Sequence, residues 1–165
     1  LGLRSPAEAM RAGAGFVPGD RKRHGLVLSM RALGNVTLPS LRSLARGGWL
    51  RGGAERGLAS DAVARLGVRA PQLDELTAGL SGGNQQKLVL AKWLAARCRV
   101  LILDEPTRGV DVGAKAEIHS LIGRLIEDDQ RAEQERRKLR EQPQHQVFSV
   151  EVDLPTPGEP VRPTT

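Results

Sequence analysis

The chain has 165 residues and a formal net charge of +6, with hydrophobic residues at 39% and aromatics at only 2%. That length supports one domain with an aliphatic core, and its apolar runs fall far short of the ~20 residues a membrane-spanning helix needs. A single cysteine, Cys98, excludes an internal disulfide, and the arginines are scattered without interleaved aromatics, so a nucleic-acid surface is not expected.

The first residues, Leu1-Gly2-Leu3-Arg4, lack a signal-peptide pattern and read as the interior of a longer protein. Ser5-Pro6-Ala7-Glu8 predicts a helix start: a hydroxyl cap, proline at the first helical position and a glutamate three residues on. The helix should stop at Gly13 or Gly15, and Phe16-Val17 predicts a brief strand. Residues 19–25 read as a charged loop, 30–38 as a weak helix and 39–53 as a Gly/Arg-rich connection without a period.

Leu58, Ala62 and Leu66, spaced four apart, predict a helix over 54–66 that closes at Gly67. After a loop over 70–78, Ser81 caps a strong helix to about Ala96, with Leu88, Ala91, Leu94 and Ala95 on its inward stripe. Residues 100–103 are apolar throughout and too short for a helix, which predicts a strand covered on both faces. Ile118, Leu121, Ile122, Leu125 and Ile126 predict a helix from about Ala114. Beyond Asp129 the composition changes. Residues 130–146, dominated by Arg, Lys, Glu and Gln, extend that helix as a solvated rod. Phe148, Val150, Val152 and Leu154 alternate as an edge strand would, and the Pro/Thr-rich 155–165 is expected to be disordered. The division is therefore a folded domain over 1–129 and a tail over 130–165.

Two elements carry chemistry. A helix N-terminus at Ser81-Gly82-Gly83 offers free N–H groups and a partial positive charge, and its glycines let a phosphate approach the backbone. An ordinary capped helix with two loop glycines remains open for this turn taken alone. At the carboxyl end of a parallel strand, Asp104 can hold a magnesium ion through water and Glu105 can polarise a water for attack on a phosphate. Pro106 equally suits a plain turn entry. The run Gly109 to Lys115 imitates a phosphate loop but has the wrong spacing, and GxxxxGK[ST] does not occur in the sequence. His24, His119 and His145 have no ligand-like spacing.

Together these motifs resemble the ATP-binding-cassette (ABC) family: LSGGNQQK at 80–87 its signature, VLILDEP at 100–106 its Walker B motif, and TRGVD at 107–111 its D-loop. The runs NQQK at 84–87, EPTRGVDVGAKAEI at 105–118 and VPGDRKRHGLVL at 17–28 resemble the C-terminal cassette of bacterial sugar importers for ribose, xylose and galactosides. The resemblance implies an α/β fold: a partial P-loop NTPase cassette, with a helical signature subdomain and a remnant of parallel sheet. It implies that Ser81, Gly82, Gly83 and Gln85 close over ATP held by an N-terminal-type cassette. Asp104 would hold Mg2+ through water at a second, weaker site, with Glu105 as its catalytic group and Asp111 communicating across the interface. Asp20, Arg21, Lys22 and Arg23 would lie where membrane permease subunits touch, with a periplasmic sugar-binding protein as an indirect partner and a cytoplasmic, membrane-peripheral location.

The departures are specific. The family's phosphate loop should precede Leu1, its switch strand should follow residue 127, and Gly19 stands where relatives usually carry Glu. A non-catalytic remnant or interaction fragment of a truncated or frame-shifted gene is the alternative reading. An ABC-type nucleic-acid factor ranks last, because those families lack the NQQK and DRKRxGL pairing.

Overall fold

The computed structural model describes residue 2 and residues 4–141, which divide into a compact unit over Leu1–Ile126 and a second unit from Glu127. Helix α1 (Pro6–Arg11) forms as its cap predicts, with Ser5 Oγ accepting from the Glu8 amide at 3.2 Å, and Gly13 takes a φ of +88° to turn the chain. Strand β1 (Ala14–Val17) follows. Residues 21–25, read from sequence as a loop, instead form one wide helical turn (Arg21–Gly25), because the Asp20 carboxylate accepts from the Lys22 and Arg23 amides, both at 3.1 Å.

Helix α2 (Ala32–Thr37) is anchored by Asn35, whose amide exchanges hydrogen bonds with the Val27 backbone (2.8 and 2.9 Å) and donates to Thr77 Oγ1 (2.9 Å). The connection expected over 39–53 is more structured than its sequence predicts. It holds a short helix α3 (Leu41–Leu44) and a two-residue hairpin of β2 (Ala45–Arg46) and β3 (Trp49–Leu50). Gly47 and Gly48 supply the pair of positive φ angles that a type I′ turn requires. Strands this short leave no period to read.

Helix α4 (Gly52–Ala64), α2 and α5 (Gly82–Ala95) enclose an aliphatic core that includes Val36, Val63, Leu66, Leu73, Leu88 and Leu90. Strand β4 (Val100–Leu103) pairs with β1 in parallel, from Ala14 opposite Val100 to Val17 opposite Leu103. It is not covered on both faces as its apolar run suggests. Gly15 and Val17 point into the core and Leu101 and Leu103 are half-buried, whereas Phe16, Val100 and Ile102 are 47%, 59% and 55% exposed. A two-stranded sheet with α5 on one side leaves its other side open.

Trp93 of α5 fixes that packing. Its Nε1 donates to the Phe16 carbonyl at 2.7 Å, and its ring lies so close to Gly15 that a Cβ there would sit 2.8 Å away. Helix α6 (Val112–Glu141) buries Ile118 and Leu121 within the first unit and continues into the second as a charged helix, with Arg131 paired to Glu127 at 3.5 Å. The edge strand expected over 147–154 and the disorder expected over 155–165 lie outside the described residues. Among the described residues no helix is long and apolar enough to cross a membrane.

Two glycines should respond oppositely to alanine. Gly15→Ala forces the Trp93 ring aside and should cost about 1–3 kcal/mol, whereas Gly57→Ala, in open space inside α4, should add about 0.5–1 kcal/mol. Urea unfolding of the full chain should place the two midpoints on opposite sides of the parent value.

Candidate functional site

The start of α5 is the centre of the site. Ser81 is extended (φ −59°, ψ 156°), and its Oγ accepts from the Asn84 amide at 3.3 Å, while its carbonyl accepts from Gln85 at 2.9 Å. The amides of Gly82 and Gly83 therefore lack an intrahelical acceptor and carry the helix's positive end. Ser81 is exposed and Gly82 partly so, but Gly83 is buried, its side against Ala114 of α6. Gln85 departs from its expected role. It is 4% exposed, donates from Nε2 to the Thr77 carbonyl (3.0 Å) and is thus a tether of the helix start rather than part of its exposed turn. The cause is helical geometry: Gln85 falls on the face that also buries Leu88.

The ladder of β1 and β4 extends one residue further, the Asp104 amide donating to the Val17 carbonyl at 2.9 Å. Asp104 and Glu105 then stand exposed at the carboxyl end of β4, as the sequence predicts. Glu105 has a φ of +42°, a left-handed conformation that costs a non-glycine residue free energy. Its Oε2 accepts from Arg108 Nη1 at 3.0 Å across a pair that is largely in water, an interaction worth little and readily broken. A Cβ on Gly19 would lie 3.4 Å from Glu105 Cβ and 3.5 Å from its Oε2, so the glycine leaves room beside that carboxylate.

Asp111 caps α6, its Oδ1 accepting from the Ala114 amide at 2.8 Å. Lys87 of α5 reaches Glu117 of α6 at 2.6 Å, which holds the two helix starts together. Among the described residues, no group of three or more His, Cys, Asp or Glu side chains converges on a metal position. Asp104 therefore has Glu105 beside it in the chain but belongs to no cluster of three such groups. That donor set suits magnesium, which keeps several waters and completes its shell with substrate phosphates.

The four residues expected to lie at a partner surface do not stay together. Asp20, Lys22 and Arg23 are exposed, but Arg21 is only 5% exposed and donates to the carbonyls of Arg108 (2.8 Å) and Gly109 (3.0 Å). Its guanidinium is thus engaged inside the chain, unlike the side chains of its three neighbours. A shallow cleft of about 250 Å³ lies between Gly19–Lys22 and Arg108–Gly109. Arg21, Asn35 and Thr77 were missed as organising residues. In the sequence Arg21 is one basic residue in a run of three, and nothing marks it as the buried one.

A family model described as ABC transporter matches residues 8–108. The ribose import ATP-binding protein RbsA 1 of Rhizobium meliloti is 52% identical over 125 residues, covering 76% of this chain and 25% of the relative. A putative ribose/galactose/methyl galactoside import ATP-binding protein of Agrobacterium fabrum is 52% identical over 122 residues, covering 74% and 24%. The chain thus spans about a quarter of the length of the curated relatives it matches. Among solved structures, a dimeric ATP-binding cassette bound to ADP and Pi superposes with a TM-score of 0.61 at 27% identity, covering 78% of this chain and 54% of that one. The cbiO1 protein of Clostridium perfringens, part of an ABC transporter complex, gives 0.60 at 27%, covering 75% and 47%.

The Lys87–Glu117 contact gives an asymmetric expectation. Lys87 is 5% exposed at its side chain and Glu117 half-exposed. Glu117→Gln leaves a buried ammonium without its counter-charge and should cost about 1–3 kcal/mol. Lys87→Met leaves a carboxylate that water can solvate and should cost less. Chemical unfolding of both variants gives the order.

Proposed function

The chain belongs to the ABC transporter family, and on that premise we propose that it supplies the signature-bearing part of the ATP-binding subunit of a carbohydrate importer. Its α/β architecture, a helical subdomain on a two-stranded parallel sheet, is that of a partial P-loop NTPase cassette. The observation that carries the proposal is the Ser81-Gly82-Gly83 turn, open to solvent at Ser81 and partly at Gly82, at the positive end of a helix buried along most of its length.

In this reading the Ser81 hydroxyl and the Gly82 and Gly83 amides face the phosphates of ATP gripped by an N-terminal-type cassette. Gln85 supports the turn from inside through Thr77. Asp104 and Glu105 belong to a second, weaker nucleotide site. There Asp104 would hold Mg2+ through water, and the ion would supply neutralisation of phosphate charge. Glu105, released from Arg108, accepts a proton from the attacking water. Asp111 both caps α6 and carries the interface turn. Asp20, Lys22 and Arg23 are the exposed residues that meet the permease subunits, at the inner face of the membrane, with a periplasmic sugar-binding protein delivering the cargo. Nucleic acid is not among the proposed partners. The division into a cassette over 1–129 and a charged tail over 130–165 is part of the same proposal.

The signature turn alone is a weak nucleotide site. Its dipole contributes about 0.3–1 kcal/mol and each hydrogen bond about 1 kcal/mol, against roughly 4 kcal/mol for millimolar binding before association costs are met. Action therefore requires the other cassette. A non-catalytic interaction fragment is the second reading, favoured by the exposed Phe16, Val100 and Ile102.

A chimera distinguishes them: this chain's residues replace the matched 125-residue stretch of the Rhizobium meliloti relative. The purified chain alone should release no radiolabelled phosphate from ATP, and the chimera should hydrolyse ATP in a magnesium-dependent manner. Ser81→Ala in the chimera should lower turnover at least about tenfold, as loss of a hydrogen bond to an anion implies, and more than Glu105→Gln does. Steady turnover by the lone chain, or an inert chimera, would refute the proposal.

A further inference from the structure

Arg21 is the most unusual side chain in the described structure. A guanidinium is charged at any physiological pH, and burying one without a counter-charge is costly. Yet Arg21 is 5% exposed and enters no ion pair with a carboxylate among the described residues. It is held by two backbone carbonyls on consecutive residues, Arg108 through Nη1 and Gly109 through Nη2, while its Nε has no partner. Gly109 has a φ of +64°, which turns its carbonyl into the fork's reach. On its other side the same Nη2 lies 2.9 Å from the point a Cβ on Gly82 would occupy, so the guanidinium is pressed against the first residue of α5.

One planar group therefore touches three segments that are distant in sequence: the turn Arg21–Gly25 that leads away from β1, the turn that leads from β4 to Asp111, and the start of the signature helix. We infer that Arg21 is a positioning residue that sets the 107–111 turn in register with the Ser81-Gly82-Gly83 amides, so that both present to a nucleotide at once. This rests on the functional reading above. It also links Lys22 and Arg23, exposed on the same short turn, to both faces of the site through a single rigid fork. Lysine cannot replace it. A lysine ammonium is a point donor and cannot hold two adjacent carbonyls in one plane.

The geometry explains two details at once. A side chain at 82 would displace the guanidinium from its place, and the left-handed Gly109 contributes one of the two carbonyls that hold it. A buried cation that merely filled space would be served at lower cost by Met or Leu.

The test uses the chimera and the unfused full chain, each with Arg21→Lys and Arg21→Met. In the chimera, both variants should lower kcat about 10–100-fold with KM for ATP changed less than about threefold, as misplacement of a positioned group implies. In the full chain without nucleotide, deuterium exchange of amides 108–111 should rise at least about tenfold in both variants, while α4 and the middle of α5 keep their protection. Wild-type kcat in both variants, or unchanged exchange at 108–111, overturns the inference. So does a uniform rise in exchange across α4 and α5 with kcat and KM moving together, because that marks a general packing role. Should Arg21→Met fail to fold, Arg21→Lys decides alone. An unmutated chimera that is inactive defeats the functional reading, whereas an active chimera indifferent to Arg21 defeats only this inference.

Discussion

The burial of helix α5 on nearly every side is the constraint on which the structure depends. From Gly83 to Trp93 its residues are in the interior apart from Asn84, including polar Gln85, Gln86, Lys87 and Lys92. A surface helix can slide or rotate by a fraction of a turn with little cost. A helix enclosed by α2 and α4, with β1 against Trp93 and α6 against its start, cannot. The position of its free N-terminal amides is therefore set by the core and not by the loop that precedes it. In that sense the aliphatic interior, assembled almost without aromatics, is what aims the signature turn.

Gln85 Oε1 and Gln86 Nε2 are buried without a partner, but the polar pairings that α5 does make sharpen the aim. Lys92 Nζ donates to the Gly25 carbonyl, and burial holds its ammonium below the ordinary lysine range. Gln85 ties the helix start to Thr77, which in turn receives Asn35. Two of these bonds join α5 to the turn after β1 and to the loop before the signature, and the third ties that loop to α2. Breaking one leaves a buried group without a partner, which costs more than the bond itself contributes. A network of this kind selects one register among the several that apolar packing alone would tolerate.

The elements with strong local chemistry were legible in the sequence. Ser5-Pro6 and Ser81 cap their helices as read, and the run ending at Asp104-Glu105 is a parallel strand with its carboxylates at the exposed end. What escaped were features set by distant partners. The apolar run 100–103 signals a strand but not how many elements will cover it, so its open face was not foreseen. The hairpin at Ala45–Leu50 is too short for any periodicity. Gln85 and Arg21 show the limit most clearly. Both are polar residues in motifs that point to surface contact, and both are buried, because helix phase in one case and a carbonyl pair 87 residues away in the other decide their place. Spacing in sequence carries neither fact.

The account turns on whether the serine of that turn meets the terminal phosphate of a nucleotide bound by another segment. Trapping ADP and vanadate in the chimera and irradiating it tests this directly, since vanadate in the phosphate position photo-oxidises and cleaves the chain only where a side chain touches it. Cleavage at Ser81, abolished by omitting magnesium and ATP, is the expected result. Efficient trapping with cleavage confined to other segments, leaving Ser81 intact, would contradict the central claim.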